Sequence, residues 1–442
     1  MTSRVIAGAV LIATAAVAWL AIAFTLAARA LQAVIAISLV YVAYLALRGF
    51  QAMRDGRRET PLSDRIPPAE RPWVTLLVPA RNEAPIIGRT VAALAAQDYG
   101  DASGPRFDVL VVDDGSSDGT GDAARQAGAS FGQRVRVVRR DPDHGARTKA
   151  AALTFALASC RGEVIGVLDA DARVGHDFVS IVMDAWDAEP EAAAVQAQRR
   201  ASNIDAGWRA AAQDEELLMD MASQCGRRAT DGTAELRGNG MFVRRDRLAR
   251  VGGWNDTALT EDLDLSTRLV TAGEQIGLAP RAEVGEEAVL TARALWRQRM
   301  RWAEGSLRRL LELGPGLVAE RAVPVSRKLD FLAFTGEFII PPLFVASLLA
   351  TAVTILLPRP ADWTVPVSLF IGYGLGTFLL AMGGLAAQGV RGLSLVGRAT
   401  RGSLFLSHWL LIVPAALLRI AVAPRTTAFV QTLRHHRPAA DD

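Results

Sequence analysis

Two uncharged apolar stretches stand side by side near the start of the chain, and three more lie toward its end. Residues 5–28 carry no charge, Arg29 interrupts, and residues 30–47 are again uncharged. At about 1.5 Å of rise per residue, about 20 helical residues cross a hydrocarbon layer about 30 Å thick. Backbone polar groups find no water in that layer, so a spanning stretch of this kind is helical. A cleavable signal peptide is set aside, because a second apolar stretch follows at once and no polar mature chain begins between them. A tight helical hairpin accounts for both.

The later stretches are residues 331–357, 363–390 and 402–423. The first contains Glu337 and the adjacent Pro341 and Pro342. The third contains Pro414 and Arg419 and is the weakest span. Arg48, Arg54, Arg57, Arg58, Arg65 and Arg71 follow the first hairpin. Positive residues gather on the cytoplasmic side, so that side and the short N-terminus are expected in the cytoplasm. Three full spans would then leave the C-terminus outside, whereas Arg425, Arg434, His435, His436 and Arg437 favour the inside. Either one stretch is re-entrant or the tail breaks the rule. The expectation is a multi-pass protein of the cell membrane.

Composition supports this. Of 442 residues, 50% are hydrophobic and 21% charged, which excludes a disordered chain and an ordinary soluble enzyme. Cys160 and Cys225 lack the spacing of a zinc site or a disulfide framework and read as buried thiols. The net charge of +3 offers no concentrated basic face, so no nucleic-acid partner is expected. The arginines lie beside apolar segments, where a lipid bilayer is the natural partner.

Residues 72–288 read as an α/β domain. Strand-like runs at 73–78, 107–112, 134–138 and 164–168 alternate with helical spacing at 85–97, 118–129 and 146–159. That alternation predicts a mainly parallel sheet with helices on both faces. Ligands bind beyond the carboxyl ends of such strands, and the polar motifs fall there. Pro79-Ala80-Arg81-Asn82-Glu83 follows the first strand. Asp113-Asp114-Gly115-Ser116-Ser117-Asp118 follows the second and suits a base and ribose, or a plain Asx turn. Asp169-Ala170-Asp171 ends the fourth strand. Positions i and i+2 of an extended strand share a side, so the two carboxylates are expected to hold one hard divalent cation. Thr260-Glu261-Asp262 opens a helical segment at 263–271. Gln298, Arg301 and Trp302 stand at i, i+3 and i+4 on one helix face. Arg293, Arg297, Arg308 and Arg309 on the same segment are expected to face lipid headgroups.

These motifs, in this order and between apolar stretches, resemble the membrane-embedded family 2 inverting glycosyltransferases. That family includes polysaccharide synthases and membrane lipid glucosyltransferases. The resemblance covers about residues 72–312. It implies an α/β GT-A fold, Rossmann-like and mainly parallel, inserted as a cytoplasmic domain between N-terminal and C-terminal transmembrane helices. By the same resemblance, Ala80 and Glu83 border a uracil pocket, and Asp113 and Asp114 bind the nucleoside. Lys149 is the basic residue near the nucleotide, and Asp169 and Asp171 place Mg²⁺ or Mn²⁺ on the donor diphosphate. Gly238-Asn239-Gly240 forms a small-residue turn near the acceptor. Asp262, with Glu261 beside it, is the general base. Gln298, Arg301 and Trp302 complete the catalytic set, with Trp302 on the acceptor sugar.

The domain layout expected is a hairpin at 1–50, a basic linker at 51–71 and the GT-A domain at 72–288. Amphipathic interface helices at 289–328, transmembrane helices at 329–424 and a basic tail at 425–442 complete it. The implied reaction moves a sugar from a UDP-sugar to an acceptor hydroxyl. Extension of a β-linked polysaccharide is the preferred reading, with room for a small membrane partner subunit. The alternative is addition of a single sugar to a lipid such as diacylglycerol. Only 18 residues follow Pro424, with no regulatory domain visible among them, unlike a cellulose synthase catalytic subunit. A non-catalytic scaffold is set aside because every acidic motif is intact.

Overall fold

The computed structural model describes residues 2–55, 71–101, 103–141, 146, 148–356 and 363–423. Arg57, Arg58 and Arg65, the loop residues His144, Gly145 and Arg147, and the basic tail lie outside the described residues. Contacts divide the chain into a helical unit, made of Met1–Arg54, Ala212–Thr233 and Leu295–Thr426, and an α/β unit made of Asp55–Ala211 and Ala234–Ala294. Residues 72–288 are therefore not one continuous domain, because Ala212–Thr233 packs with the apolar helices.

The chain opens with α1 (Thr2–Ala23) and α2 (Thr25–Asp55). An eight-stranded sheet follows: β1 (Val74–Ala80), β2 (Phe107–Asp114), β3 (Val135–Arg140), β4 (Val164–Val167), β5 (Arg173–Val174), β6 (Ala194–Ala201), β7 (Met241–Arg244) and β8 (Ile276–Glu286). Their spatial order is β3-β2-β1-β4-β7-β6-β8-β5. The first four in that order are mutually parallel, and β6 and β8 also pair parallel. Only β7, antiparallel to both its neighbours, and the short edge strand β5 run against them. In β1 the residues Val74, Leu76, Leu77 and Val78 are all fully buried. A strand covered on both faces needs such a continuous apolar run rather than alternation. The covering helices include α3 (Ala84–Ala95), α4 (Thr120–Gly128), α5 (Lys149–Leu157) and α6 (Phe178–Ala188). Ile87, Val91 and Leu94 put the spacing of one helix face into the core.

Then come α7 (Trp208–Arg228), α8 (Arg245–Arg250), α9 (Glu261–Thr271) and α10 (Ala292–Ala319). The chain closes with α11 (Val325–Gly336), α12 (Ile340–Ile355), α13 (Thr364–Ala387), α14 (Gly392–Leu406) and α15 (Trp409–Val422). Among the described residues, five segments are long and apolar enough to cross a membrane: Ser3–Ala23, Thr25–Asp55, Val325–Ile355, Thr364–Ala387 and Gly392–Val422. The third is broken at Glu337, ahead of the two prolines. Pro341 and Pro342 sit in the first turn of α12, where a missing N–H leaves no helical bond unmade. The fifth is broken at Ser407 and His408. Its helical start at Gly392 precedes the apolar stretch, because Arg398 and Arg401 of α14 are neutralised by the buried Glu215 of α7.

Within the helical unit, backbones meet at glycines. A Cβ on Gly49 would lie 2.1 Å from the Ala222 carbonyl oxygen, and one on Gly226 would lie 2.3 Å from that of Leu45. Small residues let helices approach this closely where apolar burial supplies little drive between them. Gly226→Ala is therefore expected to force α2 and α7 apart, at about 1–3 kcal/mol for overpacking. Gly374→Ala on α13 meets nothing within 4 Å and is the control. Thermal unfolding of the two variants in one detergent checks this. A melting temperature for Gly226→Ala equal to that of the control contradicts the packing account.

Candidate active site

The carboxyl ends of the parallel strands are tied together by side chains. The register sets Ala80 beside Asp113, and Asp113 beside Arg139. Asn82 takes a left-handed backbone, with φ of 53°. Its amide donates to the Ser116 hydroxyl, and its side-chain oxygen accepts from the Ser117 amide. The amides of Glu83 and Ala84 donate to Thr120 Oγ1 and Asp118. The motifs after β1 and β2 thus form one bracket. Burial works against the charge of Asp118, but hydrogen bonds from Thr120 and the Ala84 amide outweigh it and hold its pKa below the usual range. Asp113 is fully buried and grips the Ser116 amide at 2.9 Å and Arg139 at 3.0 Å. Asp114 pairs with the buried Arg140. The two arginines closing β3 had no reading in the sequence; their signal was a charged pair at a carboxyl strand end.

The deeper cluster is centred on Lys149. Thr148 caps α5 by accepting the Ala151 amide, which sets Lys149 at the first helical position. Its Nζ donates to Asp169 at 2.7 Å and to the Gly238 carbonyl at 3.2 Å, and lies 3.3 Å from Glu261. Burial opposes this ammonium, but the carboxylates of Asp169, Glu261 and Asp262 outweigh it and hold its pKa above the ordinary lysine range. Four motifs far apart in sequence are thereby joined.

Asp262 is the least comfortable charge in this cluster. Burial and the neighbouring Glu261 push its carboxyl up to about 6, against the opposing pull of Lys149, the Leu263 amide and Arg237. Gly238, at φ +78°, faces it. A Cβ there would stand 3.1 Å from Asp262 Oδ2 and 3.6 Å from Lys149 Nζ. The turn comes from the antiparallel strand β7, which starts beside the end of β4. Asn239, expected near the acceptor, is buried, and its side-chain oxygen accepts the Asp169 amide at 3.1 Å. Buried Gln196 of β6 holds the same turn, accepting the Arg237 amide and donating to the Asn239 carbonyl.

Asp169 and Asp171 do not extend β4, which ends at Val167. They occupy a turn closed by the Ala172 amide on the Asp169 carbonyl. The argument from strand alternation therefore does not apply. The Asp169 side chain is 29% exposed and faces Lys149. Asp171 is 2% exposed and accepts the Glu287 amide at 3.1 Å. Among the described residues no three His, Cys, Asp or Glu side chains converge as a metal site. One accessible carboxylate plus substrate phosphates is nevertheless a donor set that a hard divalent cation accepts.

Gln298, Arg301 and Trp302 lie on α10 in the part of the chain that belongs to the helical unit. All three are half-buried. Arg308, expected at headgroups, is instead buried in an ion pair with Glu304, and Arg309 is buried too. A salt-bridged carboxylate four residues away removes the need for water or headgroup phosphate. Between the motif residues, Arg299 is 1% exposed and pairs with Glu216 of α7, a residue the sequence reading passed over.

A family model described as glycosyltransferase like family 2 matches residues 71–305. Beta-monoglucosyldiacylglycerol synthase of Synechocystis sp. is 34% identical over 409 residues, covering 90% of this chain and 82% of that one. The chain belongs to glycosyltransferase family 2. The enzyme of the same name from Trichormus variabilis is 32% identical over 375 residues, covering 82% and 76%. Polysaccharide synthases match at lower identity over shorter stretches. Among solved structures, a mannosyltransferase from Pyrobaculum calidifontis, in complex with GDP-Man and Mn²⁺, matches with a TM-score of 0.55 at 21% identity. That match covers 88% of this chain and 99% of that one. The sheet is the expected GT-A fold, flanked by apolar helices at both ends, and the chain is a glycosyltransferase. The small partner subunit gains no support from these relatives.

Gly238→Ala follows as a test of the cluster. The left-handed backbone costs an L-residue about 1–2 kcal/mol, and the methyl group would crowd Asp262 and Lys149. Turnover is expected to fall at least about tenfold, which corresponds to about 1.4 kcal/mol in the barrier. Gly252→Ala, also at positive φ but with nothing within 4 Å, controls for backbone strain. Equal activity loss in both would show that crowding is not the cause.

Proposed function

We propose that the protein transfers one sugar from a UDP-sugar to the hydroxyl of a membrane lipid, inverting the anomeric carbon, at the cytoplasmic face of the cell membrane. The cluster in which Lys149 joins Asp169, Glu261 and Asp262 carries the reading. The three lipid glucosyltransferases that match more than four-fifths of the chain favour a lipid over a growing polysaccharide. The order of the two acceptor readings is thereby reversed from the sequence expectation, while the reaction type is unchanged.

Each residue has a physical task. The bracket of residues 80–84 and 113–120 holds the nucleoside, with Asp114 at its rim. Asp169 would hold Mg²⁺ or Mn²⁺, which would supply positive charge for the diphosphate of the departing UDP. Asp171 keeps the turn that presents Asp169. Lys149 adds a fixed positive charge beside the leaving group and keeps Asp262 ionised near neutrality. Asp262 takes the proton of the attacking hydroxyl. A carboxylate raised to about 6 is a better base than an ordinary one and is still charged at neutral pH. Arg301 and Gln298 bind the donor diphosphate, and Trp302 stacks its apolar face on a sugar.

Asp262→Asn should lower transfer by about 10²- to 10⁴-fold while UDP-sugar binding, read by titration calorimetry, persists. In the unsubstituted enzyme the base must be deprotonated. kcat/KM should therefore fall as pH drops through about 6 and level off above it. An acid limb centred near 4 would show that the base is an unperturbed carboxylate.

The acceptor is settled by where the label goes. With radiolabelled UDP-glucose and dioleoylglycerol in mixed micelles, product should extract into organic solvent as one lipid spot. Exhaustive chelation should stop its formation and Mn²⁺ or Mg²⁺ restore it. Label retained in a water-soluble polymer overturns the lipid reading, and full activity after chelation overturns the role given to Asp169.

A further inference from the structure

Three aromatic and charged side chains converge on Arg299, which stands between the named positions of the Gln-x-x-Arg-Trp motif. Its guanidinium pairs with Glu216 of α7. One of its N–H groups donates to Gln298 Oε1 at 2.9 Å. Its plane covers the Trp302 ring, with the guanidinium carbon 4.1 Å from the ring centroid, and it lies 5.9 Å from that of Trp409. Trp409, at the start of α15, donates its indole N–H to the other Glu216 oxygen at 3.0 Å. All five residues belong to the helical unit.

We propose that Glu216, Arg299 and Trp409 are positioning residues that set Trp302 for the acceptor, so that the helices α7 and α15 control acceptor binding through one guanidinium. The proposal rests on the reading of Trp302 as an acceptor contact. A planar guanidinium stacked on an indole fixes the plane of the ring, which an ammonium cannot do. The guanidinium is held in turn by a carboxylate whose second oxygen is occupied by Trp409, so it has little freedom to leave the stack. A buried ion pair of this kind is weak evidence for stability. Its geometry is better explained by orientation, because each partner of Arg299 on α10 is a member of the Gln-x-x-Arg-Trp motif.

The experiment compares Trp302→Ala, Arg299→Lys, Glu216→Gln and Trp409→Phe in the full chain, with dioleoylglycerol in mixed micelles and radiolabelled UDP-glucose. Arg299→Lys keeps the charge and loses the stack. It should raise the acceptor KM at least about tenfold, with the UDP-glucose Kd within about twofold of the parent. Trp409→Phe keeps the ring and loses only the N–H, and should raise the acceptor KM less, in the same direction. A merely structural role would lower the melting temperature and the yield of active enzyme without splitting the two substrates. If Trp302→Ala raises the acceptor KM while Arg299→Lys and Trp409→Phe leave it unchanged, the positioning proposal is overturned and the acceptor role of Trp302 stands. If Trp302→Ala itself leaves the acceptor KM unchanged, that role falls and the proposal falls with it. Should Glu216→Gln not fold, the lysine and phenylalanine variants decide.

Discussion

Three carboxylates share one ammonium. Asp169, Glu261 and Asp262 come from a turn after β4 and from the first turn of α9; Lys149, at the start of α5, pairs with the first two and acts on Asp262 through its charge. Like charges at such separations repel by about 1 kcal/mol in water and several times more in a partly buried site. They remain together because the cation sits among them. The arrangement does two things at once. It pins the turn after β4 to the turn before β7, and it leaves Asp262 ionisable but strained toward its neutral form. A site that must take a proton from a weak acid needs that tension.

The helical unit follows the same rule under harsher conditions. Glu215 is fully buried with Arg398 and Arg401, Glu304 meets Arg308 and Arg419, and Asp330 meets Arg227 and Thr233. Charges among apolar helices persist only when paired, and they are commonly retained for function rather than for stability. α7 carries four acids, Asp214, Glu215, Glu216 and Asp220. A Cβ on Gly402 of α14 would stand 3.1 Å from Glu215 Cβ, so glycine there lets α14 come close enough for Glu215 to meet Arg398 and Arg401. Close packing and charge pairing therefore depend on each other here.

Much of the α/β unit was legible in the sequence, since apolar runs and turn residues are local signals. β1, β2 and β4 fall within two residues of their expected bounds, and the acidic motifs lie at carboxyl strand ends. What escaped was the partner of each side chain. Asp171 looked equivalent to Asp169, yet it is buried and one of its oxygens accepts the Glu287 amide, 116 positions away. Asn239 looked like an acceptor contact, yet its side chain holds the Asp169 backbone. Arg308 looked like a headgroup contact until Glu304 claimed it. The placement of α7 in the helical unit was invisible for the same reason. Its acids had no reading in the sequence, because the arginines that neutralise them lie 83 to 186 positions further on.

The reaction itself does not distinguish a lipid from a polymer. On the proposed mechanism a hydroxyl in either case loses a proton to Asp262 and a diphosphate leaves with added charge. Selection must therefore come from groups that meet the acceptor away from the reacting atoms, where binding energy can be realised without altering the chemistry. An indole held in one plane suits that task, since a rigid aromatic face loses little entropy on binding. Trp302 alone on a helix face would still turn about its side-chain bonds. The stack with Arg299, itself held by Glu216 and Trp409, removes that freedom before the acceptor arrives. Preorganisation of this kind puts acceptor choice partly on residues that do not themselves meet the acceptor.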